Sequence, residues 1–245
     1  MPAGKYILAI NGSPREAEGV TDLVTRKFLE GARVAGAETE TVYLSGLKMA
    51  DCLGCFECWF KTPGTCRHKD DVPGVQEKMR RADVLVYATP LYICTMSALM
   101  KRFLDRIIPM AEPYQCYENG VCSHPTREGE HRGRMVLISV AGFPGLRNFD
   151  ALRFTFERIA EVGGDQLSGA ILFPASPLLM MQPSPAAEQL ESVVQAGREI
   201  LDGPISAETA AGYSKPYAGD EAYIAMVNQM FERLVAATAK SPNRG

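Results

Sequence analysis

The sequence has no long apolar run and no excess of positive charge, and these two absences exclude whole classes of protein. None of its apolar stretches approaches the roughly 20 residues that a membrane-spanning helix needs. Its formal net charge of -3 over 245 residues provides no basic face for nucleic acid. The apolar stretch near the N-terminus is also too short for a secretory signal. We therefore expect a cytoplasmic protein with neither a membrane nor a nucleic acid as partner.

The sequence also lacks the composition of a disordered or disulfide-rich chain. Hydrophobic residues make up 46% and charged residues 22%, which is typical of a globular domain. The cysteine count of 7 is odd, and a reducing cytosol disfavours a disulfide framework. Four of these cysteines fall in one short stretch, at Cys52, Cys55, Cys58 and Cys66. That stretch calls for a chemical explanation.

Neither of the common glycine-rich nucleotide motifs, G-x-G-x-x-G or G-x(4)-G-K-[ST], follows the first predicted strand. The strand leads instead into a long first turn, residues 11–21. This turn supplies hydroxyls at Ser13 and Thr21, a cation at Arg15, and the free amides of a helix that we predict Thr21 to cap. These groups suit a single phosphate, whose site would require the two glutamates of the turn to face solvent. A plain connection between strand and helix is the alternative.

Apolar runs and amphipathic segments alternate along the rest of the chain. Strands are predicted at 5–10, 39–44, 83–89, 135–140 and 167–173. Helices are predicted from 21, from 72, and over 97–108, 149–162, 186–201 and 221–237. This alternation predicts a doubly wound α/β domain with a parallel sheet covered on both faces. Residues 109–133 carry no periodicity and are predicted as an insertion in the domain 1–202, to which 203–245 add an extension with one helix.

Three motifs, in this order along the chain, resemble those of the NADPH-dependent FMN reductase and iron–sulfur flavoprotein families. The first is Ile7–Arg15. The second is the cysteine stretch, Cys52–Cys58, with Asp70 and Asp71 after it. The third is Ala88–Tyr92, which is followed by Met96 and then Lys101–Arg106. The resemblance covers residues 5 to 110 closely and the next hundred loosely, and it implies a five-stranded flavodoxin-like fold that binds FMN.

The resemblance also implies which residues hold the FMN. The first turn would hold the phosphate, and the isoalloxazine ring would lie against a second turn, residues 89–96. The implied phosphate contacts are Ser13, Arg15, Val20 and Thr21, and the implied ring contacts are Thr89, Pro90, Leu91, Tyr92 and Met96. A third turn, residues 141–145, ends the fourth predicted strand at the same edge, and its glycines would permit close approach to the ring, so Ala141 and Gly142 are further candidate contacts. Val20 stands where the families have asparagine, so only its backbone amide is left for the phosphate.

The implied function is an oxidoreductase that moves electrons from NAD(P)H through FMN to a small acceptor, such as a quinone or a flavin. The flavin supplies the chemistry in such proteins, and the sequence offers no convincing catalytic acid, base or nucleophile. The histidines, His68, His124 and His131, lie in predicted loops and are interpreted as surface residues without partners. The alternatives are an iron–sulfur flavoprotein that carries electrons between proteins, and a non-enzymatic redox or metal sensor.

The C-x2-C-x2-C-x7-C spacing of the four clustered cysteines suits a short loop wrapped around an iron–sulfur cluster. It resembles the cysteine motif of the iron–sulfur flavoproteins, which implies a [4Fe–4S] cluster. Clusterless FMN reductases keep similar stretches, so an empty site is one alternative. Zinc is another, although it prefers paired C-x2-C units that lie further apart.

The last predicted helix carries an apolar stripe of Met226, Met230 and Leu234, with Phe231 beside it. Such a stripe either covers the chain's own sheet or meets another copy of the chain. The resemblance favours association, so we expect a homodimer or homotetramer with the flavin near the interface.

Overall fold

The computed structural model describes residues 5–118, 120–130, 133–181 and 186–239. The strands in chain order are β1 (Tyr6–Asn11), β2 (Glu38–Tyr43), β3 (Val84–Pro90), β4 (Cys116–Glu118), β5 (Val121–Ser123), β6 (Arg134–Val140) and β7 (Gln166–Phe173). The helices are α1 (Val20–Val34), α2 (Glu57–Phe60), α3 (Val72–Arg81), α4 (Ala98–Asp105), α5 (Asp150–Gly163), α6 (Pro177–Met181), α7 (Ala187–Glu199), α8 (Ala207–Tyr213) and α9 (Asp220–Ala239).

Five of the strands form one parallel sheet in the order β2-β1-β3-β6-β7. Every residue of β1 and β3 is buried, as expected for central strands covered on both faces. Apolar side chains of α3, α4 and α5 pack on one face of the sheet, and those of α1 and α7 pack on the other. This is the flavodoxin-like, doubly wound arrangement, so the predicted fold class is confirmed.

Helices α1 and α7 cross at very close range because two glycines lie at the contact. A Cβ atom added to Gly31 would lie 1.8 Å from the carbonyl oxygen of Val194, and one added to Gly197 would lie 1.9 Å from that of Phe28. Any side chain at either position would therefore push the helices apart. The contact fixes α1, and with it the first turn, against the sheet.

Two local predictions were wrong, on the start of α1 and on the C-terminal extension, and one hairpin was not predicted. Thr21 does not cap α1, because the helix begins at Val20 after the cap residue Gly19, and Thr21 is buried in the first turn of the helix. The insertion, for which no element was predicted, contains an antiparallel hairpin of β4 and β5. The C-terminal extension contains two helices, α8 and α9, because Ser206 caps a short helix that has no long apolar period to reveal it.

None of the helices within the described ranges is both long and apolar enough to cross a membrane.

Candidate functional site

The strand register brings the three turns of the candidate flavin site to one edge of the sheet. Asn11 at the end of β1 pairs with Ala88 near the end of β3. Pro90 pairs with Val140, the last residue of β6. Because parallel strands end at the same edge, the turns that follow β1, β3 and β6 lie beside one another at the carboxyl edge, where doubly wound folds bind ligands.

The first turn folds around the side chain of Ser13, which is 3% exposed. Its Oγ accepts a hydrogen bond from the Arg15 amide at 3.3 Å, and a Cβ atom on Gly19 would lie 2.9 Å from this oxygen. Among the described residues, no carbonyl accepts the amides of Val20 and Thr21, which begin α1. Two free donors at a helix N-terminus favour an anion, so the turn fits a phosphate group.

The charged side chains of the first turn lie on its outer side. Arg15, Glu16 and Glu18 are all exposed, and Glu16 accepts a hydrogen bond from Ser45 Oγ at 2.7 Å. The structure therefore places both glutamates on the solvent side, as the phosphate hypothesis requires.

A buried carboxylate, Asp22, stands directly behind the first turn. It is fully buried, and its Oδ1 accepts a hydrogen bond from the Tyr43 hydroxyl at 2.8 Å. Its Oδ2 lies 2.7 Å from Arg26 Nε. Burial and this carboxylate together raise the pKa of Tyr43 to about 12. The position of Asp22 near the start of α1, where the helix dipole favours negative charge, further compensates its burial.

Ser97 joins the second turn to the first. Its Oγ donates a hydrogen bond to the carbonyl of Gly12 at 2.6 Å and accepts one from the Met100 amide at 3.2 Å, so it also caps α4. The Ser97 amide in turn donates to Thr89 Oγ1 at 3.0 Å. The Thr89 hydroxyl thus holds the second turn together, and Met96 is buried in the core. Thr89 and Met96 therefore support the second turn from the core side, and the backbone of the turn and Tyr92 face outward.

The tip of the second turn is a tight reversal from Tyr92 to Thr95. The two residues exchange backbone hydrogen bonds of 2.8 and 3.1 Å. Between them, Ile93 and Cys94 have φ angles of 44° and 65°, in the left-handed region that favours glycine. Ile93 is 95% exposed. A strained turn with an exposed apolar side chain is the kind of feature that occurs at ligand sites.

The third turn is held between β7 and α9. Ala141 is buried, and its amide donates to the carbonyl of Phe173. The carbonyl of Gly142 accepts a hydrogen bond from the hydroxyl of Tyr223 at 2.5 Å. A Cβ atom on Gly142 would meet nothing within 4 Å, so there is open space above this turn. The eleven residues expected around FMN therefore all lie in or beside the three turns.

The cysteine stretch forms a separate loop beside α4. Cys52, Cys55, Cys58 and Cys66 line a single cavity of about 310 Å³, the cysteine cavity. Burial first, and then the neighbouring thiols, raise the pKa of Cys58, so the four sulfurs lie within electrostatic reach of one another. In the described part of the chain, no three metal-binding side chains converge closely enough to hold an ion as they stand. The donor set suits iron or zinc chemically, and ligation would require the thiols to converge.

A buried ion pair closes the base of the cysteine loop. Arg106, 1% exposed, donates to both carboxylate oxygens of Asp70 at 2.7 and 3.1 Å and to the carbonyl of Ala50 at 2.7 Å. Asp70 also accepts from the Ala50 amide at 3.0 Å. Asp71 accepts from the Lys48 amide at 2.7 Å. The Asp70–Asp71 pair therefore anchors the chain just before the first cysteine.

Two of the three histidines have surroundings that differ from the surface position expected for them. His68 lines the cysteine cavity, and its Nε2 is buried without a hydrogen-bond partner in the described structure. The Nδ1 of His124 lies 2.9 Å from the carbonyl of Tyr114, and its ring packs 4.7 Å from that of Trp59. The expectation of partnerless surface residues is therefore wrong for His124, while His131 lies outside the described residues.

Sequence reasoning assigned no role to three residues that shape these sites: Asp22, Ser97 and Arg106. Ser97 carried a readable signal, because serine before an apolar helical run is a common cap. Arg106 ends the Lys101–Arg106 motif, but the sequence does not indicate its ion pair, and Asp22 carries no comparable signal. Their partners are brought to them by the fold.

Comparison with known proteins agrees with this geometry. The model of a family described as NADPH-dependent FMN reductase matches residues 6–156. An iron–sulfur flavoprotein of Methanocaldococcus jannaschii is 36% identical over 109 residues, 44% of this chain and 55% of that protein. Another, from Archaeoglobus fulgidus, is 31% identical over 142 residues, 58% of this chain and 60% of that protein. The chain thus spans little more than half the length of these relatives.

Among solved structures, the chain is similar to an FMN-dependent NADH-azoreductase from Bacillus anthracis in complex with FMN. The TM-score is 0.59 at 16% identity, with 81% of this chain and 100% of that one covered. An NAD(P)H:quinone oxidoreductase from Methanothermobacter marburgensis gives a TM-score of 0.54 at 17% identity, with coverage of 80% and 97%. At such low identity these likenesses show the fold alone.

Proposed function

The chain belongs to the NADPH-dependent FMN reductase family, and from this membership we propose that it is an FMN-dependent oxidoreductase that takes electrons from NAD(P)H and passes them to a small acceptor. The observation that carries the proposal is that the amides of Val20 and Thr21, beside the buried Ser13 at the carboxyl edge of the sheet, have no acceptor among the residues that the structure describes. When bound, FMN supplies hydride acceptance from the nicotinamide and electron donation to the acceptor.

The part of the chain itself is to bind and orient the flavin. The two amides and Ser13 would donate to the phosphate, with Arg15 adding a positive charge from the exposed side. The backbone of Leu91 and Tyr92 would meet the polar edge of the ring, and the open space above Gly142 would admit it. Access for a nicotinamide and then an acceptor would be from the exposed side of Tyr92 and Ile93.

A proline at Val20 tests the phosphate site by removing a single hydrogen-bond donor. Val20 is the first residue of α1, where proline is well tolerated, and Gly19 before it is extended, with φ -86° and ψ 152°, as a residue before proline must be. Val20→Pro should weaken FMN binding by about tenfold or more, since a hydrogen bond to a charged group contributes about 1.5–3 kcal/mol. Riboflavin, which lacks the phosphate, should bind equally well to both proteins.

Two controls accompany this variant. Val20→Ala keeps the amide and removes most of the side chain, so it should retain FMN. Ala207→Pro makes the same change at the first residue of α8, after the extended cap residue Ser206, and should also leave FMN binding intact. A folded Val20→Pro protein with full FMN affinity would show that the phosphate lies elsewhere. Anaerobic bleaching of the bound flavin by NADH or NADPH tests the electron donor, and no bleaching by either would contradict the proposed activity.

A second candidate is an electron carrier with a [4Fe–4S] cluster in addition to FMN. It is favoured by the four cysteines that line one cavity with the buried Arg106, because the cation would offset part of the negative charge of a thiolate-bound cluster. Cys52, Cys55, Cys58 and Cys66 would be the ligands. The likeness to proteins named iron–sulfur flavoproteins supports this candidate as well.

Iron analysis distinguishes the two candidates. Under the second, protein reconstituted without oxygen should hold about four irons per chain, and Cys55→Ser should lose them while FMN stays bound in its separate turns. Cys122→Ser, at an exposed cysteine on β5, should keep both. Absence of iron from the reconstituted wild-type protein would leave an FMN reductase with an empty cysteine cavity.

A further inference from the structure

A second cavity, unrelated to the three turns, lies beneath the insertion. Its volume is about 470 Å³, and its walls are mainly apolar side chains of β3, the ends of α4 and α5, and the insertion. We call it the insertion cavity. Its wall residues include Leu85, Tyr87, Ile107, Met110, His124, Ile159 and Val162. The volume is within the range typical of small-molecule sites.

The insertion is fastened over this cavity by defined hydrogen bonds. The amide of Glu112 donates to the carbonyl of Pro125 at 2.7 Å, and that of Arg127 donates to Met110 at 2.9 Å. Thr126 Oγ1 donates to the carbonyl of Gly163 at the end of α5, also at 2.7 Å. The wall is therefore a built part of the fold and not a loose loop.

The hydroxyl of Tyr87 is the unexplained group of the insertion cavity. The residue is 2% exposed, its ring packs against Phe156 with centroids 5.5 Å apart, and it lines the cavity. Among the described residues, no hydrogen-bond partner is found for its hydroxyl. The hydroxyl is not one of the fully buried, unsatisfied polar atoms of the described structure, so it faces the open space of the cavity, where water or a ligand can accept its hydrogen bond. Tyr87 therefore presents a hydrogen-bond donor to whatever enters this otherwise mainly apolar cavity.

The hydroxyl is suited to donating a hydrogen bond. Burial, and then the nearby Asp165 carboxylate, raise the pKa of Tyr87 well above its ordinary value. The proton therefore stays on the oxygen at every physiological pH. A ligand that binds to this hydroxyl must offer a hydrogen-bond acceptor. The rest of its surface must be apolar, to pack against the leucine, isoleucine and methionine side chains of the walls.

The insertion cavity is separate from the candidate flavin site but adjoins the cysteine cavity. Tyr87 is three residues before Pro90, which is about 10 Å along a strand, and helices α4 and α5 contribute their C-terminal ends, which lie away from the carboxyl edge of the sheet. Asp105 and Ile108 line both the insertion cavity and the cysteine cavity. A molecule in the insertion cavity would lie one side chain away from the cysteine loop.

We propose that the insertion cavity is a second small-molecule site, which binds a one- or two-ring apolar molecule whose carbonyl or ether oxygen accepts a hydrogen bond from Tyr87. The assignment is independent of the flavin chemistry.

A matched pair of probes tests the site: 1-tetralone, a bicyclic ketone, and tetralin, which has the same ring system without the oxygen. Both are titrated into FMN-loaded protein in the absence of nicotinamide, so that no turnover occurs. The ketone should bind saturably to the wild-type protein, and its affinity for the Tyr87→Phe protein should be about fivefold to tenfold lower. Tetralin should bind the two proteins equally, and Tyr87→Phe should unfold at the same or a slightly higher temperature, because none of the described residues bonds to the hydroxyl.

A blocking variant locates the binding. Val162 is a 36% exposed residue on α5 that lines the cavity, and Val162→Trp should abolish binding of both probes. Val34→Trp, at an exposed valine at the end of α1, should leave binding unchanged. Three results would each overturn the proposal and indicate a cavity that holds water only. The first is that the ketone does not bind saturably, and the second is that both probes lose equal affinity for Tyr87→Phe. The third is that a folded Val162→Trp protein binds the probes fully.

Discussion

Single buried polar residues join segments that lie far apart in the sequence. Ser97 links the second turn to Gly12, 85 residues away, and Asp70 links the entry of the cysteine loop to Arg106, 36 residues away. Each bond is made in a nearly dry environment, where a satisfied pair is strong and an unpaired group is costly. The geometry of both candidate sites therefore depends on a few side chains that would contact neither flavin nor metal.

Asp70 gives a prediction at this scale, through the pH dependence of stability. Burial opposes its ionisation, but the Arg106 guanidinium and the Ala50 amide prevail and lower the pKa of Asp70. A lowered folded-state pKa gives stability that is present above the unfolded pKa, near 3.9, and is lost as the pH falls through the folded value. Asp70→Asn should therefore lower the free energy of unfolding at pH 7 by about 3 kcal/mol, because it leaves Arg106 buried and uncompensated.

Urea unfolding of both proteins from pH 7 down to pH 2.5 checks this prediction. The gap between them should be constant down to about pH 4 and should then narrow as the wild-type carboxylate takes up its proton. Glu30→Gln, which removes the exposed partner of Lys27, should change stability by less than about 0.5 kcal/mol. A gap that does not depend on pH would mean that folding leaves the pKa of Asp70 unchanged, which would contradict the prediction.

Among the elements of the fold, the strands of the sheet have regular pairing, whereas backbone strain lies in the turns. The five strands of the sheet are continuous and paired, apart from one register shift between Met135 and Val136 in β6. The turn from Tyr92 to Thr95, by contrast, holds two consecutive non-glycine residues in the left-handed region. A β-branched residue such as Ile93 is rarely found there. Because the Ile93 side chain is exposed, packing does not require isoleucine at this position.

Ile93→Gly should therefore stabilise the protein by about 1 kcal/mol. Left-handed backbone costs a residue with a Cβ atom about 1–2 kcal/mol, and the greater freedom of glycine in the unfolded chain offsets part of the gain. Thermal unfolding measures the change. Ile93→Ala removes the apolar side chain and keeps a Cβ atom, so it should gain much less. Equal gains in the two variants would mean that exposure of the side chain, and not backbone strain, is the destabilising feature.

For the whole molecule, the apolar surface of α9 is the feature that a single chain does not explain. Met226 and Met230 are each 38% exposed, Phe231 is 54% exposed and Leu234 is 55% exposed. Tyr223, which is buried, fixes the start of the helix to the third turn. The stripe therefore does not cover the chain's own sheet. A helix of 20 residues is about 30 Å long, enough to form the centre of an interface beside the candidate flavin site.

We propose that a second copy of the chain covers this stripe. Light scattering of the wild-type protein at micromolar concentration should then report a dimer or tetramer. The double variant Met230→Glu, Leu234→Glu should be monomeric, because charges in the centre of an apolar interface lose hydration without gaining partners. Val34→Glu, an equivalent change on α1, should leave the assembly intact. A wild-type mass of 26.8 kDa, that of one chain, would refute association through α9.

The amino-acid sequence by itself determined the five strands of the sheet, most of the helices, the three turns and the cysteine spacing. These features were predictable because hydrophobic period, turn residues and motif spacing are local properties of the chain. The start of α1 was misjudged, and the β4–β5 hairpin and α8 were missed, since short elements carry little periodic signal. The tertiary structure alone decided the roles of Asp22 and Arg106, the bond from Ser97 to Gly12, the position of the Tyr87 hydroxyl in the insertion cavity and the exposure of α9. Each of them depends on which distant segments meet, and packing of the whole chain decides that.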